Sequence, residues 1–574
     1  LLQKGEEAEP VLKNMASEYS AMRAERFSSF AGSTFDARFE ALRQLHLHTF
    51  VTWDLSPPGS MKTIFIMLII TIAVMGLALS NFINLFILSG AKRSKEIGIR
   101  KVNGASRRQM IRQFYLETTL VVSVAFIVGA VLSVMLMPAF ANIMQRETFT
   151  EVANTPALYL VLASIFLVTI LLSGFYPALL LSRAAPIPLI RGIVNLAGDK
   201  KILLRVVSVI QVCIAVCLLT ILLGINTQIR FLKNHPMGYN PENLVLISNL
   251  NQDLTKNYPA IRDKLLNLNG IEEVAASSHT IGAGNSGQSI RMYTDDPNQV
   301  LGIDEYRIYP GLCHLYQFNL VAGRFLDPER SSDRSGVVLN EAAAKMLGRT
   351  PQELVGDQVV MFEDPLEVIG VVEDFNYKSA ATNISPLVLT AYSERMRNLA
   401  IRIAPGTNTQ EILERIKEVI HSFDPSYVMI NRFATSIIED YYVAEERLQK
   451  ILVAGSLLSV LIVLLGIYAL VSHNIVQRTK EIGIRKVMGG STAQMMTMIY
   501  TSTLQWTLIA SVLAIPLALL YLKAWLNDYA VRIPLYWWIF AGSIVLVVFF
   551  QSLITLGQTR KTARRNPVEA LRYE

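Results

Sequence analysis

Cysteine is scarce: three in 574 residues, at Cys213, Cys217 and Cys313, which is too few for a disulfide framework. No GxxxxGK[ST] stretch occurs, so the chain has no phosphate cradle of that type. Charge is also low, 17% against 52% apolar residues, with a mean hydropathy of +0.36. That balance excludes a disordered or collagen-like chain. The shortage of charge is not uniform. Seven windows, about Thr63–Leu88, Phe114–Pro138, Ala157–Leu181, Val206–Gln228, Ile451–Val471, Thr497–Leu522 and Leu535–Gly557, hold one charged side chain between them, Glu117. Each is long enough to cross about 30 Å of hydrocarbon as a helix at about 1.5 Å per residue. The chain reads as a polytopic membrane protein with a large water-facing part.

Lysine and arginine set the orientation. Segments 91–113, 182–205, 472–496 and 558–574 carry 22 basic and 5 acidic residues, which places them in the cytoplasm. Segment 229–446 carries 19 basic and 29 acidic residues and belongs outside. The overall charge of +7 is therefore no mark of nucleic-acid binding. Seven crossings with an inner C-terminus put residues 1–61 outside. With Leu1 first, the expectation is an N-terminally incomplete chain that has lost at least one helix.

An internal repeat sets the architecture. Arg93-Ser94-Lys95-Glu96-Ile97-Gly98-Ile99-Arg100-Lys101-Val102-Asn103-Gly104-Ala105-Ser106 follows the first window. Arg478-Thr479-Lys480-Glu481-Ile482-Gly483-Ile484-Arg485-Lys486-Val487-Met488-Gly489-Gly490-Ser491 follows the fifth. Eleven of these fourteen positions are identical, at an offset of 385. A second echo closes each half: Pro186-Ile187-Pro188-Leu189-Ile190-Arg191 and Pro567-Val568-Glu569-Ala570-Leu571-Arg572. The expected division is an outer-domain remnant (1–61), a first three-helix block (62–205), a helix opening the second module (206–228), an outer domain (229–446), and a second three-helix block with its tail (447–574). Within 229–446, Leu244–Ser248, Glu273–Ser277, Asn398–Ile403 and Val428–Asn431 read as strands. Tyr258–Leu268 and Gln410–Ser422 read as amphipathic helices. Two β-α-β pairs around a strand-rich insert, about 281–392, suit a ferredoxin-like α+β domain. The clearest runs of the insert are Gly336–Asn340 and Leu366–Glu373, with a short helix near Glu341–Leu347.

Catalytic signals are weak. Gly282-Ala283-Gly284-Asn285-Ser286-Gly287 fits GxGxxG but opens into an apparent strand, Ser289–Thr294, where a dinucleotide needs a helix N-terminus. His46-Leu47-His48 offers two metal ligands without a third, and no cofactor or metal site follows. Glu117 lies about a turn from Arg112 and reads as an inner-interface pairing with a basic side chain rather than a proton relay. Asn81, Asn84 and Asn226 read as interhelical hydrogen-bond contacts. The repeated cytoplasmic stretch stands out instead. Its isoleucines beside hydrogen-bonding charges suit docking on a protein surface.

At these residues the sequence resembles the FtsX-like permeases of ABC transporters, including the MacB-like and lipoprotein-release permeases. The carrying motif is [RK]-x-x-E-I-G-I-R-[KR]-x-x-G-[AG]-[ST], present twice between the expected helices. Asn566–Arg572 matches the module ending, whereas the copy at Ala185–Arg191 has Pro188 where Glu569 stands. His46-Leu47-His48 resembles a short stretch near the end of the family's periplasmic domain. The resemblance implies eight helices in the full chain and two MacB-like periplasmic core domains, in the bacterial inner membrane. It further implies a separate cytoplasmic ATPase, as a dimer, holding ATP and Mg, and an adaptor or hydrolase as a candidate periplasmic partner. By this resemblance Arg93, Glu96, Ile97, Gly98, Ile99, Arg100, Lys101 and Gly104, with Arg478, Glu481, Ile482, Gly483, Ile484, Arg485, Lys486 and Gly489, form the ATPase-coupling surface. The implied function is mechanotransmission, serving efflux, lipoprotein or peptide handling, or envelope maintenance. A conventional small-solute transporter and a ligand-sensing receptor are the rival readings.

Overall fold

The computed structural model describes residues 13–15, 17–19, 61–92, 94–144, 155–183 and 199–563, apart from 283–285, 297–299, 310, 328–329, 362–363, 392–395, 478–483, 485–487 and 489–490. Expectations for 1–61 (beyond 13–15 and 17–19), His46 and His48, and Asn566–Arg572 lie outside the described residues, as do those for Ala185–Arg191. In chain order the main helices are α1 (Met61–Lys92), α2 (Ser94–Val102), α3 (Arg107–Met144), α4 (Pro156–Arg183) and α5 (Asp199–Lys233). An α+β segment follows. It holds β1 (Leu244–Ser248), α6 (Tyr258–Leu266), β2 (Ile271–Ser277), β3 (Ser286–Met292), β4 (Leu301–Arg307), β5 (Leu320–Gly323), β6 (Gly336–Asn340), α7 (Glu341–Met346), β7 (Gln358–Met361), β8 (Asp364–Val372), β9 (Leu387–Thr390), β10 (Asn398–Ile403), α8 (Thr409–His421) and β11 (Ile430–Phe433). Three helices close the described chain, α9 (Val443–Gln477), α10 (Thr492–Leu526) and α11 (Trp537–Ala563).

Among the described residues seven helices are long and apolar enough to cross a membrane, namely α1, α3, α4, α5, α9, α10 and α11. Every apolar window lies on one of them. Among the described residues the chain divides into two compact units, one built on Arg230–Val443 and the other on the long helices.

The helical unit is held by small and polar residues, as expected where lipid removes the hydrophobic drive between helices. Gly224 of α5 lets Leu522 of α10 approach closely, and Gly455 of α9 does the same for Ile70 of α1. Thr220 and Ser543 join α5 to α11 at 2.7 Å, and the Gln228 Oε1 accepts from the Ile533 amide at 2.9 Å. Gln211 donates to Ser80 at 2.7 Å across α5 and α1. Asn81 and Asn84, read as interhelical hydrogen-bond contacts, are buried, but the Asn81 Oδ1 accepts no hydrogen bond among the described residues. At the 385-residue offset Ile70 is the counterpart of Gly455, and Asn81 that of Gly466, whose Cα faces the Asn81 and Gln211 side chains. Helices α1 and α9 thus meet through equivalent positions, as on a two-fold axis.

The other unit starts from a four-stranded antiparallel sheet of order β11-β1-β10-β2. Leu246 stands opposite Ala400 and Arg432, and Ala400 opposite Ala275. This is the order of a ferredoxin-like pair of β-α-β units. Helix α8 covers the sheet because Ile412, Ile416 and Ile420 recur at i, i+4, i+8 and are all buried, and Asn408 caps its start. Each such side chain contributes about 1.5–3 kcal/mol on burial. The last strand lies two residues further along than expected.

Between β2 and β10 sits the strand-rich insert, a seven-stranded sheet of order β5-β8-β6-β9-β4-β3-β7. Strand β7 also pairs with β8, so the sheet returns on itself around Ile290, Ile303, Val337, Leu339, Val359 and Val368. The glycine-rich run at Gly282 opens into β3, a strand rather than a helix. Cys213, Cys217 and Cys313 are free thiols.

Two predictions follow from this packing. An ideal Cβ on Gly466 would lie 3.0 Å from Asn81 Oδ1 and 3.2 Å from Gln211 Oε1. Gly466→Leu should cost about 1–3 kcal/mol through overpacking and lower the Tm of the detergent-solubilised chain. Gly129→Leu, which meets open space, should leave it unchanged. In the second unit, Arg324 donates to both carboxylate oxygens of the buried Asp333, one at 2.7 Å, and the Asp327 amide donates to it at 2.8 Å. The Arg324 hydrogen bonds hold the Asp333 carboxyl down to about 2, from 3.8. A carboxyl depressed on folding stabilises above its unfolded value and loses that contribution as pH falls toward the folded one. Pepsin cleavage of segment 324–336 should therefore begin only as pH drops from about 4 to about 2, whereas Asp333→Asn should be cut at the upper end of that window.

Candidate coupling surface

The first repeated stretch folds as a short helix, a tight stop and a capped restart. Helix α2 carries Glu96 in its first turn and Arg100 and Lys101 in its last, each sign where the helix dipole favours it. It ends at Gly104, whose φ of +89° only glycine adopts freely. The Gly104 amide reaches the Lys101 carbonyl and the Ala105 amide the Arg100 carbonyl, at 3.2 and 3.0 Å. Those two bonds form a Schellman stop. Ser106 then caps α3: its hydroxyl accepts from the Gln109 amide at 3.3 Å, while Gln109 Oε1 accepts from the Ser106 amide at 2.8 Å. This capping box satisfies two otherwise orphaned amides. Ser491 and Gln494 make the same box at the start of α10.

Side-chain packing then fixes α2 against α3. Ile97 is buried with Met110 and Phe114, and Ala105, Ile111 and Tyr115 pack around them. Gly98 is buried beside Ile97. Ile99 and Val102, in contrast, are 47% and 62% exposed. Glu96 and Arg100 are ion-paired at 2.8 Å and both about half-exposed. Burial and the nearby Arg107 lower the Lys101 ammonium below its usual range. One face of α2 is therefore committed to α3, while Ile99 and Val102 stay exposed beside the half-exposed Glu96–Arg100 pair.

Of the residues expected at this surface, the structure places Glu96, Ile97, Gly98, Ile99, Arg100, Lys101 and Gly104 on one helix and its stop. Arg93 lies outside the described residues, as do Arg478, Glu481, Ile482, Gly483, Arg485, Lys486 and Gly489. Ile484, the counterpart of Ile99, is likewise half-exposed.

One side chain, Gln113, escaped the sequence reading. Arg100 Nη1 donates to Gln113 Oε1 at 2.6 Å, and Gln113 Nε2 donates to Glu117 Oε1 at 3.0 Å. Glu117 was expected to pair with a basic neighbour such as Arg112, and the link found here runs through an amide to Arg100. The repeat comparison hid Gln113, because Met498 occupies that position in the second copy. Among the described residues no group of three or more metal-ligating side chains occurs.

Comparison with known proteins agrees with this layout. The model of the FtsX-like permease C-terminal region matches residues 65–186 and again 453–567. That of the MacB-like periplasmic core domain matches 206–419. An uncharacterised ABC transporter permease, YknZ of Bacillus subtilis, is 21% identical over 328 residues, covering 54% of this chain and 77% of its own length. The macrolide export ATP-binding/permease protein MacB 2 of Aeromonas hydrophila is 23% identical over 270 residues, 44% of this chain and 41% of that protein. The chain thus spans well under half of this MacB relative. The crystal structure of the periplasmic region of MacB from Actinobacillus actinomycetemcomitans aligns at 19% identity and a TM-score of 0.27, covering 35% of this chain and 94% of that one. With its membrane module matched twice around a MacB-like core domain, the chain belongs to the FtsX-like and MacB-like permeases of ABC transporters.

Proposed function

We propose that the chain works with a separate cytoplasmic ABC ATPase, a dimer that holds ATP and Mg, and that α2 and its second-module counterpart receive the movement that ATPase makes. The observation that carries this reading is the division of α2 into two faces. Ile97, Gly104 and Ser106 are accounted for by folding. Ile99 and Val102 are not, since they stay exposed beside the half-exposed Glu96–Arg100 pair. Apolar side chains set among charges that can pair suit a protein partner, whereas headgroups alone would need only the basic residues.

The movement would travel along stiff helices. Helices α5 and α9 run directly into and out of the extracytoplasmic segment, so displacement of their inner ends reaches that domain without a solute crossing the bundle. Thr220 with Ser543, Thr507 with Gln551 and Gln211 with Ser80 join helix to helix along the way. On this reading the chain sits in the bacterial inner membrane with its α+β domain in the periplasm. There an adaptor or hydrolase is a candidate partner, and the work is efflux, lipoprotein or peptide handling, or envelope maintenance.

The test is a paired substitution. Affinity-tagged chain from native membranes should bring down an ATPase whose hydrolysis it stimulates. Ile99→Asp with Ile484→Asp should cut that stimulation at least about tenfold, the equivalent of about 1.4 kcal/mol, while membrane insertion stays normal. Full stimulation in the double variant would remove α2 from the coupling path.

A further inference from the structure

The two copies share their motif but not the helix start that follows. At the 385-residue offset, Arg107, Arg108, Arg112, Gln113 and Glu117 of α3 stand opposite Thr492, Ala493, Thr497, Met498 and Ser502 of α10. Two of the five form part of a continuous chain of hydrogen bonds in the first copy. Glu96 accepts from Arg100 at 2.8 Å, Arg100 donates to Gln113 at 2.6 Å, and Gln113 donates to Glu117 at 3.0 Å. An amide suits the middle of such a chain because it accepts at one end and donates at the other. Bonds with a charged partner are also the stronger kind. Gln113 and Glu117 are half-buried, so water competes less there than at the exposed Glu96–Arg100 pair. The chain ties the last turn of α2 to the second and third turns of α3, beside the Ile97–Met110–Phe114 contact.

The second copy keeps the Glu and Arg of the motif, Glu481 and Arg485, but cannot complete the chain. Met498 has no donor and only a weak acceptor in its thioether. Ser502 has no carboxylate. The capping box, by contrast, is the same in both copies.

We propose that Gln113 is a positioning residue that locks the first copy of the motif to its membrane helix. An ATPase pushing on this copy would then find a stiff lever. This functional half rests on the coupling reading above. The mechanical half stands without it.

The experiment uses the full chain, with its three cysteines replaced, in lipid nanodiscs without any ATPase. A spin label is placed at Asn103, which is exposed. Gln113→Met should raise its mobility on the nanosecond scale at least about twofold. An unchanged size-exclusion profile guards against misfolding. No response at 103 to Gln113→Met overturns the lock. Adding the co-purifying ATPase separates the two halves. If Gln113→Met loosens the label at 103 yet stimulation of hydrolysis stays at the parental level, the lock stands and the coupling reading fails.

Discussion

In hydrocarbon every backbone amide and carbonyl must find its partner inside the same segment, so each crossing is an unbroken helix. The rest of this molecule depends on that constraint. Helices α5 and α9 are each 35 residues long, about 52 Å at 1.5 Å per residue, against a core of about 30 Å. Their surplus turns continue into water as the same rods. On the outer side the covalent links to the α+β unit are short. Only ten residues separate Lys233 from β1, and nine separate β11 from Val443. The inbound link is also fastened within its own unit. Arg402 of β10, buried, donates to the carbonyls of Asn240, Glu242 and Leu315. A guanidinium spent on three carbonyls leaves this stretch little freedom to bend independently of the sheet.

Rods in lipid have no hydrophobic drive to associate, so small residues and hydrogen bonds decide which ones pack. The second module has many of these: Gly224 under Leu522, Thr220 with Ser543, Tyr500 with Ser552, Thr507 with Gln551. Its helices behave as a fastened bundle. Helix α3 instead presents Leu120, Val134 and Met135, each about two-thirds exposed or more, as a lipid-facing surface does. Helix α1 joins the second module through equivalent residues, Ile70 on Gly455 and Asn81 on Gly466, and through Ser80 with Gln211. A pair of polar or crowded contacts on one seam fixes register more firmly than a uniform apolar seam would.

Much of this was legible in the sequence, because its strongest signals are long-range repetition and apolar length. All seven spans sit on the expected windows, and most ends extend further because polar flanks such as 107–113 and 443–450 stay helical, whereas α11 starts two residues inside its window. Strands β1 and β10 were plain from Leu244–Ser248 and Asn398–Ile403, runs buried along nearly their whole length. Strand β4 was not. Asp304, Glu305 and Arg307 interrupt its pattern, and only the fold shows that Glu305 and Arg307 pair at 2.9 Å while Lys378 meets Asp304 at the same distance. Strand β9 is four residues long and follows a proline, below what periodicity can resolve. Gln113 was illegible for a different reason. A bridging amide has no pattern of its own, and comparison of the repeats discards any residue that only one copy possesses.

That last point bears on how a repeated motif should be read. Repetition alone does not separate the letters a fold needs from those a partner needs. Here geometry makes the separation. Gly104 is required by a left-handed turn, Ser106 by two amides at a helix start, and Ile97 by the packing of α2 on α3. Any protein that reversed a chain between two helices in this way would select the same three, whatever its function. Ile99, with Glu96 and Arg100 flanking it, answers no such demand in the first copy, and Ile484 is as exposed as Ile99. An isoleucine kept in water costs free energy unless something covers it. Among the described residues each isoleucine stays about half-exposed, so these are the letters of the motif that this fold leaves unexplained.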